Sequence, residues 1–199
     1  VGVPCEDEGR AYGLHGGISA TPAREVSVQA DWQDGEYRFS VSGKMREVTG
    51  MGLFGPNLIL TRTIRGALGA NFLDIEDEVA NEGFSSSALM LLYHFNLGFP
   101  LLDEGSRLLA AARKTTPRDA AAKAGVKHWG RAEAPRAGYA EQVFFHELLP
   151  DGQGRVKVAL ASPERPGFGP LALMVEYRAA ELPRFCLLYT SPSPRDRTR

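Results

Sequence analysis

Apolar residues in this chain recur at every second position far more often than at helical spacing, and that alternation points to antiparallel β structure. Glu25-Val26-Ser27-Val28-Gln29-Ala30 alternates, and the pattern resumes in Tyr37-Arg38-Phe39-Ser40-Val41-Ser42 after the turn dipeptide Asp34-Gly35. Successive side chains of a strand point to opposite faces, and Asp-Gly suits a tight hairpin, so the two runs are expected to be neighbours. Leu58 to Ile64 follows Gly55-Pro56-Asn57, and Phe72 to Val79 follows Gly69. In the latter, Asp74, Glu76 and Glu78 alternate with Asp77 between them, so one face is acidic and expected to be solvated. Leu89 to Leu97 reads as a buried strand. Gln142 to Leu149 and Arg155 to Leu160 flank the turn-rich Pro150-Asp151-Gly152-Gln153-Gly154, and Leu171 to Tyr177 closes a series of roughly eight or nine strands.

The exception is Leu108 to Lys127, where Leu108 to Arg113 and Asp119 to Ala124 have helix propensity but are split by Pro117. Short helical turns or a long surface excursion are expected there. From Arg107 to Arg136 there are eight basic and two acidic residues, which suits a solvated loop or a contact with phosphate or an acidic sugar. The whole chain, at 199 residues with a net charge of -1, is long enough for one domain with a core and carries no overall field for nucleic acid or an anionic membrane. The longest apolar run, Ala88 to Phe95, is broken by His94 and falls far short of the roughly 20 residues that cross a bilayer. No nucleic-acid or membrane partner is therefore expected. Cys5 and Cys186 have no CxxC spacing, so neither a zinc clip nor a disulfide framework is suggested, and a cytoplasmic setting is the default expectation.

Four histidines carry the accessible acid–base chemistry. His15 lies in Tyr12-Gly13-Leu14-His15-Gly16-Gly17, where glycines allow a tight turn and close approach to a ligand. On a strand, His94 and Asn96 share a face with Leu92, opposite Tyr93, Phe95 and Leu97. Two polar side chains on such a strand are either satisfied in a core or face a cavity. His146 shares a face with Gln142 and Phe144, opposite Glu141, Val143 and Phe145, and His128 sits beside Trp129 in the basic stretch. No His-x-His pair or HExxH helix supports a metal, and no Gly-x-Ser-x-Gly elbow, P-loop or dinucleotide glycine pattern is present.

Leu14-His15-Gly16-Gly17, the alternating strands, and Tyr93-His94-Phe95-Asn96-Leu97-Gly98 together resemble the aldose 1-epimerase, or galactose mutarotase-like, superfamily, in an uncharacterised branch. The resemblance covers Val1 to Phe185 and includes Pro4 to Gly9, Ile18 to Ala23, Ser42 to Glu47, Phe95 to Gly105, Tyr139 to Phe144 and Glu181 to Phe185. It implies an all-β fold, a large antiparallel supersandwich, and a small-molecule sugar as partner with no cofactor and no metal. His15 would contact the sugar near its ring oxygen. The family's second histidine lies four residues before the Asn of a Tyr-Phe-Asn-Leu segment, and His94 lies two before Asn96, which keeps its parity on a strand. His94 and His15 are thus the candidate catalytic residues, and His15, Asn96, Glu141 and Arg46 the candidate sugar contacts. Arg46 and Arg62 enter as versatile donors to hydroxyls or carboxylates.

The mechanism implied by the resemblance is acid–base ring opening and reclosure, which interconverts anomers. A non-catalytic carbohydrate-binding protein on the same fold, and a metal-dependent sugar isomerase using His15, His94 and His146, are the alternative readings. The family's catalytic glutamate lies beyond the match to Glu181 through Phe185, so residues 1–185 are expected to be a partial domain without that base and without activity of their own. Residues 186–199, with Pro192 and Pro194, resemble translated adaptor sequence and are set apart from the fold.

Overall fold

The computed structural model describes residues 5–7, 10–13, 16–48, 56–167 and 169–190. Its described residues form twelve strands, one 3₁₀ turn and one short helix, and every strand pairing is antiparallel. The all-β expectation holds. The chain divides into two compact units, Val1–His94 and Phe95–Arg199.

The first unit contains a short hairpin of β1 (Cys5–Asp7) and β2 (Arg10–Tyr12), a 3₁₀ turn at Ile18–Ala20, and a four-stranded sheet. The sheet is a meander in the order β3 (Arg24–Gln33), β4 (Glu36–Val48), β5 (Asn57–Ala67) and β6 (Asp74–Asn81). Asp34 and Gly35 close the first hairpin with φ of 51° and 82°. Positive φ at both positions is what a right-twisted two-residue hairpin requires, which is why this dipeptide is informative.

Register then sorts the side chains. Val28 pairs with Val41, Val41 with Ile64 and Ile64 with Ile75, which makes one apolar row across all four strands. Phe39 pairs with Gly66, where a Cβ would stand 2.6 Å from the phenyl ring, so glycine lets Phe39 lie across β5. The opposite face carries Arg38, Lys44, Arg46, Arg65, Glu76 and Glu78. Asp74, Glu76 and Glu78 are exposed there as expected, while Asp77 falls on the apolar face. That face is incompletely covered, with Val28 69% and Trp32 67% exposed.

The second unit contains β7 (Arg107–Ala110), β8 (Ala112–Pro117), α1 (Ala120–Gly125), β9 (Gln142–Leu148), β10 (Arg155–Ala161), β11 (Ala172–Arg178) and β12 (Phe185–Tyr189). They form two three-stranded sheets, ordered β11-β10-β7 and β12-β9-β8. Phe144 is fully buried, and Val143, His146, Val156, Val158, Leu160 and Tyr189 are buried with it. Arg165 reaches back to Asp103 at 2.6 Å in a largely buried ion pair and also donates to the Glu104 carbonyl. This ties the segment before β11 to the loop before β7.

Two expectations are corrected. Leu108 to Arg113 is strand, because pairing of β7 with β10 and of β8 with β9 outweighs the helix propensity of an alanine-rich run. Only Ala120–Gly125 is helical, capped by Asp119, whose carboxylate accepts from the Ala122 N–H at 2.9 Å. Leu89 to Leu97 is not a strand. Its Leu89, Met90, Leu92 and Phe95 are each more than half exposed, so the apolar run joins no ladder and is not buried as a whole. Among the described residues no helix is long and apolar enough to cross a membrane.

Candidate functional site

The apolar face of the first sheet holds one ionised pair. Asp77 on β6 is directly opposite Arg62 on β5, so both side chains leave the sheet on the same face. Arg62 donates from Nε to Asp77 Oδ1 at 2.8 Å and from Nη2 to Oδ2 at 2.7 Å, a bidentate fork. The Asp77 side chain is only 2% exposed, against 36% for Arg62. The Tyr93 hydroxyl also donates to Asp77 Oδ2, and the Arg62 guanidinium lies 5.7 Å from the Tyr93 ring centroid. Burial pushes the Asp77 carboxyl up, but hydrogen bonds from Arg62 and Tyr93, with the Arg62 charge, outweigh it and leave the group below its ordinary value. Burial and the bond to Asp77 push the Tyr93 phenol up to about 12. It therefore remains a neutral donor throughout the physiological range.

Tyr93 immediately precedes His94, so this anchor fixes the segment that carries the motif. Leu91, Tyr93 and Leu97 are half-buried, whereas Leu92, His94 and Asn96 are exposed. The predicted parity is therefore present without a strand, except that Phe95 is also exposed. Among the described residues, His94 and Asn96 have no hydrogen-bond partner, which leaves both available to a ligand.

The other candidates are placed differently. Arg46 lies on the polar face of the sheet and donates to Asn57 Oδ1 at 2.7 Å and Glu82 Oε2 at 2.8 Å. It is Arg62 on the apolar face, not Arg46, that reaches the Tyr93 segment. Glu141 accepts from Arg118 Nη1 at 3.0 Å at the start of β9, and this pair is exposed. His15 lies outside the described residues.

Residues 1–190 match the model of a family described as Domain of unknown function (DUF4432). The chain belongs to this family. No curated protein matches it. Among solved structures it is similar to a crystal structure described as a "putative aldose 1-epimerase" from Klebsiella pneumoniae subsp. pneumoniae MGH 78578, with a TM-score of 0.80 and 25% identity. The match covers 96% of this chain and 48% of that protein, so the chain spans about half the length of the protein it matches. The fold of this DUF4432 chain is therefore the galactose mutarotase-like β fold that the motifs suggested. The family match continues to residue 190, and β12 runs through Tyr189, so a boundary at residue 186 falls inside that strand.

A second polar group in this DUF4432 chain is buried away from the candidates. His146 on β9 is 4% exposed, its Nδ1 is 3.0 Å from the Thr115 hydroxyl, and its Nε2 has no partner among the described residues. The Trp129 ring packs against it at 4.4 Å and the Phe185 ring at 5.7 Å between centroids. These neighbours are those of a core histidine, and no group of three or more potential metal ligands is found among the described residues. Burial depresses the imidazole to about 4. Neither Asp77 nor Tyr93 stands out in the sequence, although an acidic residue on the apolar parity of β6 is a legible signal.

Two measurements test these assignments. Asp77→Asn is expected to lower unfolding stability at neutral pH by about 1–3 kcal/mol, because Arg62 is left without its counter-charge but keeps some solvent. Asp77 is held below its ordinary value in the folded state, so its contribution is present above the ordinary carboxylate range and lost as pH falls through the folded value. Denaturant melts of both proteins at several pH values should show the gap closing in acid, and a gap independent of pH contradicts the assignment. His146 behaves separately: with its folded value depressed to about 4, stability is lost as pH falls from the ordinary histidine value toward that point. The total is at most about 3 kcal/mol. His146→Leu should flatten this slope, and an unchanged slope removes His146 as its source.

Proposed function

We propose that this chain is the carbohydrate-binding part of an aldose 1-epimerase-like isomerase. The observation that carries the reading is the outward-facing His94 and Asn96, held by the Tyr93–Asp77–Arg62 anchor on a galactose mutarotase-like fold. Asn96 offers both donors and an acceptor to sugar hydroxyls, and the ring nitrogens of His94 can donate and accept hydrogen bonds. In the reaction, a carboxylate takes the proton of the anomeric hydroxyl while His94, with His15, supplies one to the ring oxygen. The bond from C1 to the ring oxygen breaks, the C1–C2 bond rotates, and reclosure returns both protons and gives the other anomer. No cofactor takes part.

His94 has no carboxylate partner among the described residues, which favours a second reading, a non-catalytic carbohydrate-binding protein on the same fold. The two separate on the rate of anomer exchange. Titration of the 199-residue chain with glucose and galactose, followed by saturation-transfer NMR of the anomeric protons, should show binding that weakens at least tenfold in His94→Ala. Accelerated exchange between the two anomeric signals by this chain, or by a protein that extends it over the remaining half of its structural relative, supports the isomerase, and sugar binding by both without acceleration supports the second reading. Sugar affinity that His94→Ala leaves unchanged removes His94 from the site.

A further inference from the structure

The second unit carries a cleft of about 590 Å³ whose lining includes Arg107, Lys127, His128, Trp129 and Arg131. None of the residues proposed for the sugar lines it, so a ligand bound there is independent of the isomerase reading. Arg107 and Arg131 are directly opposed across an isolated antiparallel bridge. The flanking bonds, Ala132 N–H to Ser106 O at 2.9 Å and Leu108 N–H to Gly130 O at 2.8 Å, make them a non-hydrogen-bonded pair. In that geometry the two Cα atoms are about 4.5 Å apart and the side chains leave on the same face. A Cβ at residue 130 would stand 2.8 Å from the Leu108 carbonyl, so glycine there permits the close approach that sets the two arginines opposite each other.

Like charges directly opposed on a sheet are destabilising, and proteins ordinarily separate or neutralise them. Here neither arginine has a carboxylate partner among the described residues, and neither does Lys127. Other cations of the same basic stretch are paired: Arg113 and Lys114 with Glu147, Arg118 with Asp119 and Glu141, and Arg136 with Glu133. Four cations of the stretch have no carboxylate partner among the described residues, and three of them, Arg107, Lys127 and Arg131, line the cleft, while Lys123 does not. Trp129 supplies a flat wall beside them, held from behind by the buried His146 ring. Arginine forks match the oxygens of a phosphate, and an indole face accepts the C–H face of a sugar ring.

We propose that this cleft binds a sugar phosphate, with the phosphate between Arg107, Arg131 and Lys127 and the sugar ring against Trp129. Isothermal titration of the full chain at low ionic strength, with glucose 6-phosphate, inorganic phosphate and glucose as separate ligands, tests it. Glucose 6-phosphate is expected to bind saturably and at least tenfold more tightly than inorganic phosphate, with both weakened by added salt and glucose showing no phosphate-dependent competition. Arg131→Gln should weaken glucose 6-phosphate at least tenfold without lowering the melting temperature of the free protein, because it relieves a repulsion. If that variant melts lower, Lys127→Gln, which leaves the bridge intact, provides the same affinity readout. No binding of either anion, or binding that these variants leave unchanged, overturns the proposal. Equal affinity for inorganic phosphate and glucose 6-phosphate overturns its sugar half and leaves free phosphate as the ligand.

Discussion

The bidentate pair between Arg62 and Asp77 sets the arrangement of the first unit. An aspartate buried on an apolar sheet face is costly unless its oxygens are satisfied, and here one oxygen receives Arg62 Nε while the other receives both Arg62 Nη2 and the Tyr93 hydroxyl. Satisfying Asp77 therefore requires β5 and β6 in one register and Tyr93 at one place. A one-residue slip would move Asp77 to the solvated face, turn Asp74, Glu76 and Glu78 onto the apolar face, and leave Tyr93 without its acceptor. The fold and the exposure of His94 thus share one polar contact.

The second unit uses buried polarity in a comparable way. The Arg165 and Asp103 pair ties two loops together, and the buried His146 ring backs Trp129 at the cleft wall. Hydrogen bonds to otherwise unsatisfied groups fix the positions of elements that apolar contacts alone would leave interchangeable. The exposed ion pairs, such as Arg38 with Glu36 and Lys44 with Glu25, add little by comparison because water screens them.

Much of the sheet structure is legible in the sequence because its cause is local. The alternation around Asp34-Gly35 and the acidic parity of Asp74, Glu76 and Glu78 depend on the pleat and on turn chemistry, both written in adjacent residues. Leu108 to Arg113 misleads because strand pairing with β9 and β10 is a long-range effect that propensity does not carry. Leu89 to Leu97 misleads for a related reason: apolar content suggests pairing, whereas the segment joins no ladder and Tyr93 reaches back to Asp77. The parity of His94 and Asn96 is readable, but the Tyr93 anchor is not, since it depends on two strands that precede it. Cleft formation at Arg107 and Arg131 is foreshadowed only as local basicity, because which residues the bridge sets opposite each other depends on the folded backbone.

Tyr93, through Asp77, holds the segment that carries His94, and the proposed sugar contact depends on that anchor. Limited proteolysis of Tyr93→Phe with chymotrypsin, with cleavage within residues 89–98 followed by mass spectrometry beside the parent protein, tests it most directly. Cleavage there is expected to accelerate about tenfold, the equivalent of one lost hydrogen bond to a charged acceptor, while β3 and β4 stay uncut. Cleavage within residues 89–98 that is unchanged by loss of the hydroxyl would contradict this role for Tyr93.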